Sequence, residues 1–438
     1  MQKIKIVYID TENSVLIPDE LINLYQINSA FLTIKVGCWS AEVPITSTNQ
    51  LEQATIGIPK NLFPFDLPET LTYEIQFSNS ILKLGPVIGI LNSTESNNTL
   101  GKSKRKVLRT RLKSYDKISG LVYVFSLEDL DFEKQIISGY YYQPLGDEEW
   151  IKGSFPFPDA IYNRIRLPHN FRKDIIQITG PTLFNSTHFD KYKLWKVCSS
   201  NATAVSYVPD SVSYTEPNDF FFMINKYPTI YIKPIRGMQG KGIIVAKKEN
   251  NHVTFQGSNG DRAICYSIEE IAYYLGQNLT NKFGYILQQG IHSMYKDKKV
   301  DFRFYFQKNF EKEWICQGVV GRIANKDSVV TNFKHLSMLL TGKEAIRRLF
   351  NVNKKQADKI IESTIEKCRA VCELIDQEIG HYGDLAIDVI LDKEKKPYIL
   401  EINNRIYGTK SLKRLGKSKM FNRIRTTPLA YAKALAGF

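Results

Sequence analysis

The sequence predicts a mixed α/β (α+β) protein that contains more than one domain. Short runs of alternating apolar and polar residues fill its first part, and continuous apolar runs follow them. Two windows with helical periodicity lie further along the chain, at 268–279 and 354–379. With 438 residues the chain has room for two or three domains of ordinary size. We expect three, at 1–84, 85–180 and 181–438.

The first region is predicted to be a small β-rich domain. Residues 4–8, 31–36 and 71–77 alternate between apolar and polar side chains, as strands with one buried face do, and turn-forming residues separate the runs. Gly85 and Pro86 then interrupt the pattern, so we expect the domain to end there.

The second region is predicted to be an α/β layer. Residues 87–91 and 121–125 are continuous apolar runs of the kind found in a sheet that is covered on both faces. Residues 161–164 form a third candidate strand, and the stretches between the runs are long enough for helical connections. The third region alternates strands with the two helical windows and contains nearly all the candidate functional residues.

Composition favours a soluble cytoplasmic protein without a membrane anchor. No window approaches the roughly 18 uninterrupted apolar residues of a membrane-spanning helix. The N-terminus alternates like a strand and then reaches Asp10 and Glu12, so it lacks the apolar stretch of a signal peptide. Six scattered cysteines indicate reduced thiols rather than a disulfide scaffold, and the six histidines show no metal-binding spacing.

The chain is strongly basic, with 59 Lys and Arg residues against 45 Asp and Glu residues and a formal net charge of +14. Such an excess fits nucleic acid, an acidic surface or anionic small ligands such as nucleotides. Basic residues cluster between Lys102 and Lys113 and include Arg109 and Arg111, but no known nucleic-acid-binding motif accompanies them. We interpret the cluster as a solvated face; nucleic-acid binding through it is the weaker alternative.

The most specific pattern is a predicted β-hairpin near the C-terminus. Two apolar-rich runs, 385–391 and 398–403, flank a short polar turn. A turn centred between residues 394 and 395 places Asp388 directly opposite Glu401. Like charges at such paired positions destabilise a sheet unless a cation compensates them.

A divalent cation is the compensating group that this hairpin predicts. Asn403 lies two residues beyond Glu401, hence on the same face of the strand, and adds a neutral oxygen to the two carboxylates. Three hard oxygen ligands without sulfur or imidazole suit Mg²⁺ or Mn²⁺, which bridge to substrate phosphates. In the alternative interpretation the hairpin lies at a sheet edge, and Asp388 and Glu401 point into water beside the lysines of the turn.

A glycine-rich segment between two predicted strands, 229–234 and 243–246, is the second pattern. It contains Gly237, Gln239, Gly240, Lys241 and Gly242. Its backbone N–H groups can approach phosphates closely, but it lacks the P-loop spacing and leads into a strand, so we predict a flexible flap. The alternative is an ordinary glycine-rich hairpin turn. Lys233 favours the flap, since an unpaired charge within an apolar strand is costly.

Polar side chains in further apolar runs form the third pattern. Gln288 and Gln289 lie at a predicted strand-to-loop crossing, where they can hydrogen-bond an adenine edge. Arg303 and Arg322 each occur in an apolar strand, and guanidinium groups suit bidentate binding of phosphate or carboxylate. Taken singly, each arginine also fits a structural ion pair.

Taken in order along the chain, these patterns resemble the ATP-grasp superfamily. The order is a Lys-Pro strand, a glycine-rich flap, a hinge at 288–291, an Asp-x-Arg strand and a closing Asp-x12-Glu-x-Asn hairpin. The agreement covers roughly residues 185–408. Within the superfamily the chain resembles the YheC/YheD endospore coat-associated family, and this resemblance extends upstream to 85–91 and 157–164.

The resemblance implies an ATP-grasp fold for 181–438, with a flap subdomain at about 195–290 and a pre-ATP-grasp-like α/β domain before it. It implies ATP and Mg²⁺, or Mn²⁺, as cofactors. The residues that it assigns to ATP are Lys191, Lys233, Gly237, Gln239, Gly240, Lys241, Gly242, Gln288, Gln289 and Ile291. It assigns the metal to Asp388, Glu401 and Asn403, and the carboxylate substrate and transferred phosphoryl group to Arg303 and Arg322.

The activity that the resemblance implies is ATP-dependent formation of an amide from a carboxylate and an amine through an acyl phosphate. It implies amino acids or peptides as substrates, spore coat proteins as partners, and a cytoplasmic or coat-associated location. The alternative is a spore-coat structural or assembly protein that keeps the fold and binds ATP without turnover. The acidic hairpin and the two lysines favour the enzyme, since a structural protein has no need to hold two carboxylates opposite each other.

Overall fold

The computed structural model describes residues 1–10, 14–96, 100–146, 148–237, 240–280, 283–331 and 335–438. Within these residues the strands form four sheets, and helices connect or cover them. This arrangement confirms the predicted mixed α/β class. Each helix in the described ranges is too short or too polar to span a membrane.

The first sheet is a closed barrel. In chain order it consists of β1 (Gln2–Ile9), β2 (Val15–Pro18), α1 (Asp19–Leu24), β3 (Phe31–Val36), β4 (Trp39–Thr48), β5 (Thr55–Pro59), β6 (Tyr73–Ser78) and β7 (Ile81–Gly85). The strands are arranged in the order β1-β5-β2-β4-β3-β7-β6. In β3 the buried residues Leu32, Ile34 and Val36 alternate with more exposed ones, which is the pattern that the sequence predicts for this region.

The second sheet is mixed. Its elements are β8 (Val87–Ser93), α2 (Lys102–Arg109), α3 (Tyr115–Ile118), β9 (Leu121–Ser126), a 3₁₀ helix (Leu127–Asp129), β10 (Leu130–Asp131), β11 (Ile136–Tyr142), β12 (Trp150–Pro156), β13 (Ala160–Asn163), α4 (His169–Thr179) and β14 (Leu183–Phe184). Strand β8 pairs in parallel with β9 and β13, and β10, β11 and β12 extend one edge. Every residue of β9 is buried, as expected for a strand that is covered on both faces.

The third sheet is antiparallel and contains the glycine-rich segment. The elements in this part are α5 (Lys191–Ser199), a 3₁₀ helix (Ala204–Tyr207), β15 (Ser211–Tyr214), α6 (Pro217–Lys226), β16 (Thr229–Pro234), β17 (Ile244–Lys248), β18 (Val253–Gly257), β19 (Arg262–Cys265), α7 (Ile268–Asn278) and β20 (Tyr285–Gln289). The strand order is β15-β20-β16-β17-β18-β19. The glycine-rich segment joins β16 to its antiparallel partner β17, so it is the loop of a β-hairpin, as predicted.

The fourth sheet carries the predicted acidic hairpin. Its elements are β21 (Met294–Tyr295), β22 (Lys298–Lys308), β23 (Trp314–Ala324), β24 (Leu336–Thr341), α8 (Gly342–Phe350), α9 (Lys354–Glu378), β25 (Asp384–Leu391), β26 (Pro397–Asn403), α10 (Lys410–Arg414) and α11 (Ser418–Leu435). The strand order is β24-β23-β22-β25-β26, with β21 beside β22. The two predicted helical windows correspond to α7 and α9. Asn353 caps α9, since its side chain accepts a hydrogen bond from the Gln356 N–H at 2.9 Å.

Two large hydrophobic cores lie within the first, second and fourth sheets, and a separate core lies within the third. The first includes Ile34 of the barrel, Ile90 of the second sheet and Phe438 at the end of the chain, so the C-terminus packs against the N-terminal part. The second lies beneath the fourth sheet and includes Cys368 and Cys372 of α9, as expected for small core residues. All six cysteines are free. The predicted division into domains after residues 84 and 180 stays a proposal.

The basic cluster at 102–113 is only partly the solvated face that the sequence predicts. Lys102, Lys106 and Arg109 on α2 are exposed, but Arg111 is buried, with 5% of its surface exposed. The prediction is wrong for Arg111 because the chain turns inward after α2, and this side chain enters the interior beside the second sheet.

A buried ion pair between Lys433 and Glu74 joins α11 to the barrel. The Lys433 Nζ lies 2.6 Å from the Glu74 Oε1, and the two side chains are 9% and 6% exposed. We expect Lys433→Met to lower the free energy of unfolding by about 3 kcal/mol, because it leaves the Glu74 carboxylate buried without a counter-ion. Urea-induced unfolding followed by circular dichroism measures the change.

The exposed pair of Lys60 with Asp10 provides the matched control for this prediction. Its side chains are 60% and 87% exposed, so Lys60→Met should change stability by less than about 1 kcal/mol. The double variant K433M/E74M should recover most of the stability lost in K433M, since it removes both buried charges. Equal destabilisation by K433M and K60M would contradict the role given to the buried pair.

Candidate active site

The predicted pairing of Asp388 with Glu401 is present in the structure. The two residues are direct partners across the antiparallel strands β25 and β26. On the turn side of this pair Val389 faces Ile399, so the register skips Leu400 at a β-bulge. If the pairing of the residues nearer the turn continued without the bulge, Leu400 would lie opposite Asp388. The bulge therefore keeps the two carboxylates paired.

A row of charged residues crosses one face of the fourth sheet. Strand β22 places Arg303 opposite Asp388 on one side and Asp301 opposite Arg322 on the other. Residues two apart in a strand share a face, so Asp301 and Arg303 lie on the same side of the sheet, together with the residues opposite them. The register of four strands therefore gathers these charges and Glu401 in one place.

Both predicted arginines are held by acids of this row. Arg303 donates from Nε and Nη2 to the two oxygens of Asp388, each at 2.7 Å. Arg322 makes the same bidentate contact with Asp301, at 2.6 and 2.7 Å, and its Nη2 lies 3.2 Å from Asp388 Oδ2. The structural ion pairs offered as the second interpretation are therefore present. The Nη1 groups of both arginines have no hydrogen-bond partner among the described residues.

The paired guanidinium groups keep Asp388 ionised. Burial would raise the pKa of the Asp388 carboxyl, but Arg303 and Arg322 hold that pKa well below its ordinary value. Glu401 is the cross-strand partner of this carboxylate. Burial also opposes the charge on Arg322, whereas Asp301 and Asp388 raise its pKa above the ordinary value.

Two lysines approach the acidic hairpin from neighbouring segments. The Nζ of Lys191, at the start of α5, lies 3.6 Å from Glu401 Oε2 and donates to the Gly237 carbonyl oxygen at 3.2 Å. Lys233 in β16 is buried and donates to Gln288 Oε1. Burial lowers the pKa of Lys233 to about 8, although the Glu401 carboxylate acts in the opposite direction. The acids, both lysines and the glycine-rich segment therefore meet at one place.

The residues predicted to contact adenine have partners within the protein. Gln288 is buried and accepts the hydrogen bond from Lys233, so it positions that ammonium group. Gln289 Oε1 accepts a hydrogen bond from the Asp210 N–H at 3.2 Å. Ile291 lies half-buried in the loop after β20. Contact of these residues with adenine stays a prediction.

The glycine-rich segment is only partly described, and Gln239 lies outside the described residues. Gly240 and Gly242 have φ angles of 72° and 71°, which is the left-handed backbone that favours glycine. Lys241 between them is exposed, and so is Gly237. The turn therefore depends on glycine at both positions and leaves Lys241 open to solvent.

The oxygen set at the hairpin suits a divalent cation. The Glu401 side chain is 36% exposed, and Asn403 donates its Nδ2 to the Ala386 carbonyl oxygen at 3.3 Å, which leaves its Oδ1 for a ligand. Asp388 Oδ2 faces both Arg303 and Arg322, whereas its Oδ1 accepts from Arg303 alone and keeps a second lone pair. Among the described residues, no three His, Cys, Asp or Glu side chains lie close enough together to hold a metal ion. A cation here would rely on two carboxylates and one amide.

Three residues of the site received no role from the sequence: Asp301, Lys299 and Tyr231. Asp301 fixes Arg322, as described above. Lys299 donates to the Tyr231 hydroxyl, and burial lowers the pKa of its ammonium group to about 7. The sequence does contain a pattern that indicates two of them: Lys299 and Asp301 alternate with apolar residues along β22, in step with Arg303.

The depressed pKa of Lys233 predicts a pH-dependent contribution to stability. The ordinary pKa is 10.5 and the folded value is about 8, so the unfolded chain binds more protons between those pH values. The free energy of unfolding therefore rises with pH across this window. We expect wild type to gain up to about 3 kcal/mol relative to Lys233→Met between pH 7 and pH 10.5. Urea unfolding at a series of pH values measures the difference.

The exposed residue Lys248 supplies the control for this titration. Lys248→Met should change the free energy of unfolding by less than about 0.5 kcal/mol, because the side chain is exposed. If the difference between wild type and K233M were constant with pH, Lys233 would not be a buried lysine with a lowered pKa.

Comparisons with known proteins identify a family for most of this chain. The family described as YheC/D like ATP-grasp matches residues 180–435. The endospore coat-associated protein YheC of Bacillus subtilis (strain 168) is 22% identical over 293 residues, covering 64% of this chain and 78% of that protein. The probable tubulin polyglutamylase ttll-9 of Caenorhabditis elegans is 25% identical over 229 residues, covering 44% of this chain and 50% of that protein.

One solved structure illustrates the likeness in shape. D-alanyl-alanine synthetase A from Vibrio cholerae superimposes with a TM-score of 0.42 at 12% identity, covering 79% of this chain and 98% of that one. A TM-score of this size supports no conclusion about the present chain. The family match, by contrast, spans more than half of it and confirms the ATP-grasp fold that the resemblance implies. This chain belongs to the YheC/D-like ATP-grasp family.

Proposed function

We propose that the protein is an ATP- and Mg²⁺-dependent carboxylate–amine ligase that forms an amide through an acyl phosphate. The observation that carries the proposal is the pairing of Asp388 with Glu401 beside Lys191 and Lys233. Arginines already compensate Asp388, so Glu401, with Lys191 at 3.6 Å, is the carboxylate that a metal ion would compensate further, and a buried lysine needs an anion. Phosphate groups with their metal ion meet both needs at once.

ATP is the proposed phosphate donor. Its phosphates would contact the ammonium groups of Lys191 and Lys233, which share one site with the Gly237 backbone. Backbone N–H groups of the glycine-rich turn and the exposed Lys241 supply further positive potential for the same groups. The adenine ring is proposed to lie near 288–291, at the end of β20.

Magnesium, or manganese, is the proposed ion at Asp388, Glu401 and Asn403. These residues offer carboxylate and amide oxygens, which are the ligands that hard divalent cations prefer. When bound, the ion would neutralise negative charge on the phosphates. The contacts of Asp388 with its two arginines hold this carboxylate in place, so Glu401 is the more adaptable ligand.

The proposed chemistry needs no nucleophilic side chain. A carboxylate oxygen of the substrate attacks the γ-phosphorus of ATP, the bond from that phosphorus to the bridging oxygen breaks, and ADP leaves. The amine nitrogen of the second substrate then attacks the acyl carbon, phosphate leaves, and the nitrogen gives up a proton. Arg303 and Arg322 would bind the carboxylate and the transferred phosphoryl group through their Nη1 groups.

A spore-coat structural or assembly protein that binds ATP without turnover is the second candidate. The name of the Bacillus subtilis relative, endospore coat-associated protein, favours it. The name of the Caenorhabditis elegans relative, a probable tubulin polyglutamylase, favours a ligase that acts on amino acids or proteins. A cytoplasmic protein that associates with the spore coat is compatible with both candidates, and turnover separates them.

Glu401→Gln is the substitution that tests turnover most cleanly. Asp388 is buried and ion-paired, so changing it would also cost stability, whereas Glu401 is partly exposed. We expect E401Q to lower ATP-dependent phosphate release by about 100-fold, because it removes one of the charged ligands proposed for the cation. The assay uses ATP, Mg²⁺ and a panel of amino acids and short peptides, with product masses read in parallel.

The matched control for E401Q is Glu394→Gln, which changes an exposed glutamate in the turn of the same hairpin. E394Q should keep wild-type turnover. Equal phosphate release by wild type and E401Q would exclude the ligase. ATP binding without phosphate release from any member of the panel would favour the structural candidate.

Nucleotide binding itself predicts a shift in thermal stability. A ligand present at a hundred times its dissociation constant stabilises the folded state by about 2.7 kcal/mol, so ATP with Mg²⁺ should raise the melting temperature by several degrees. ATP with EDTA should raise it less, and Lys233→Gln should reduce the shift, whereas the exposed Lys248→Gln should keep it. A melting temperature that saturating ATP and Mg²⁺ leave unchanged would refute nucleotide binding.

A further inference from the structure

The positive charge of this chain is concentrated in two segments. Residues 97–115 contain seven Lys and Arg residues and residues 402–438 contain nine, whereas neither segment contains Asp or Glu. Outside these segments the chain has 43 Lys and Arg residues against 45 Asp and Glu residues. The formal net charge of +14 therefore arises entirely from the two segments.

The fold brings the two segments into contact. Arg425 of α11 donates to the Val107 carbonyl oxygen at 2.7 Å and to Thr110 Oγ1 at 2.9 Å, so the end of α2 packs against α11. Lys113 Nζ donates to Asn422 Oδ1 at 3.1 Å, across a sequence separation of 309 residues. Two acid-free segments that are distant in sequence therefore form one continuous surface.

Most basic side chains of these segments face solvent. Eleven of the sixteen are exposed, and we call the exposed Lys and Arg residues of 102–113 and 410–423 the basic surface. Arg109 forms an ion pair with Glu149 at 3.0 Å. A single contact of this kind leaves most of the charge on the basic surface uncompensated by carboxylates of the described residues.

Charges from both segments converge at the start of α11. Lys113 donates to the neutral amide oxygen of Asn422, as described above. Lys413 of α10 holds its Nζ 4.6 Å from the centroid of the Phe421 ring, which is also neutral. Lys419 lies in the first turn of α11 and is exposed. Lysines from three parts of the fold are therefore gathered at one place.

This charge is unfavourable for the helices that carry it. Helix α2 begins with Lys102, α10 begins with Lys410, and Lys419 lies in the first turn of α11, although a cation at a helix N-terminus opposes the helix dipole. Lys102 and Lys106 also repel each other, since they lie four residues apart on one helix face. Helix α7, by contrast, has two glutamates in its first turn. Such departures from local stability are typical of functional surfaces.

The basic surface adjoins the active site. Tyr305 lies two residues beyond Arg303 on β22, about 7 Å along the strand and on the same face of the sheet. Its hydroxyl is hydrogen-bonded to Ser411 Oγ of α10 at 3.1 Å. Leu412 of α10 and Phe421 of α11 pack with Tyr305 in one buried cluster. These helices therefore cover the sheet face next to the charged row, and their outer sides carry the basic surface.

We propose that the basic surface binds an acidic polypeptide segment, rich in Asp and Glu, and holds it beside the active site as the carboxylate substrate; its assignment as substrate rests on the ligase function proposed above. The carboxylates of such a segment complement the exposed ammonium and guanidinium groups. The same segment supplies the kind of group that the proposed reaction consumes. One chemistry therefore accounts for the surface and for its position.

Nucleic acid is the other polyanion that a basic surface can bind, and the described residues favour it less. Proteins hold single-stranded nucleic acid with exposed aromatic side chains that stack on its bases. In the described parts of the two segments every aromatic ring is buried or half-buried, Tyr115 and Phe421 among them. Duplex nucleic acid would contact the same cations, but it offers no carboxylate to the adjoining site.

The test is a binding titration without nucleotide. A fluorescent oligo-L-glutamate peptide is the probe, oligo-L-glutamine is its neutral counterpart, and fluorescence anisotropy gives the dissociation constants. We expect wild type to bind oligo-glutamate, with an affinity that falls as sodium chloride is raised, and to leave oligo-glutamine unbound. The triple variant K113Q/K413Q/K419Q should raise the dissociation constant by about tenfold, since it removes three charge contacts.

The matched control is K354Q/K355Q/K359Q, which removes three exposed lysines from α9 and changes the net charge equally. This control should bind oligo-glutamate as wild type does. The proposal is overturned if wild type does not bind the peptide or if the two triple variants bind it equally well. Tighter binding of duplex DNA with the same number of charges would assign the surface to nucleic acid and overturn it too.

A kinetic measurement separates this proposal from the ligase proposal. With ATP and Mg²⁺ present, K113Q/K413Q/K419Q should raise the KM for oligo-glutamate far more than it lowers kcat, because these lysines hold the peptide away from the reacting groups. E401Q should keep the affinity for the peptide while turnover falls. Peptide binding that depends on the three lysines, without phosphate release from any acidic peptide, would retain the docking surface and overturn its role in presenting a substrate.

Discussion

The ion pair between Asp388 and Arg303 is the interaction on which the site depends. It joins the central strands β22 and β25 through two hydrogen bonds of 2.7 Å, and Arg322 reaches the same carboxylate from β23. These contacts keep the Asp388 carboxylate ionised and hold it in one position. Its negative charge therefore lies directly opposite Glu401 on β26. A slip of one residue in any of these strands would turn the side chains to the opposite face and disperse the row.

Lys233 is a buried cation whose side-chain hydrogen bond goes to a neutral group. The acceptor is the amide oxygen of Gln288 on the neighbouring strand β20. In the fourth sheet, by contrast, Arg303 and Arg322 are each paired with a carboxylate. A buried cation without a counter-ion is costly, and this cost is why Lys233 supports the proposed binding of a phosphate group at this place.

The parts of the site that follow from local sequence were predictable. Two apolar-rich runs around a short polar turn indicated the pairing of Asp388 with Glu401. A lysine within an apolar run indicated that Lys233 lies at a functional position in its strand. The turn-side register nevertheless differs by one residue from the predicted one, and only the bulge at Leu400 restores the pair. A bulge of this kind has no distinct signature in the residues around it.

The parts that depend on contacts between distant segments were not predictable from one sequence. Arg303 and Asp388 are 85 residues apart, and the register that brings them together is set by the packing of the whole sheet. Arg111 has the same basic neighbours as Arg109, yet one is buried and the other exposed. Local composition does not reveal which of two such residues will be buried in the folded protein.

The most direct test of this account is the location of the metal ion. Crystals grown with Mn²⁺ and a non-hydrolysable ATP analogue would show the ion by its anomalous scattering. The account predicts a peak bound by oxygens of Glu401 and Asn403 next to Asp388, with the phosphates beside Lys191 and Lys233. A bound nucleotide with no peak at this hairpin, or with an ion held by other residues, would contradict it.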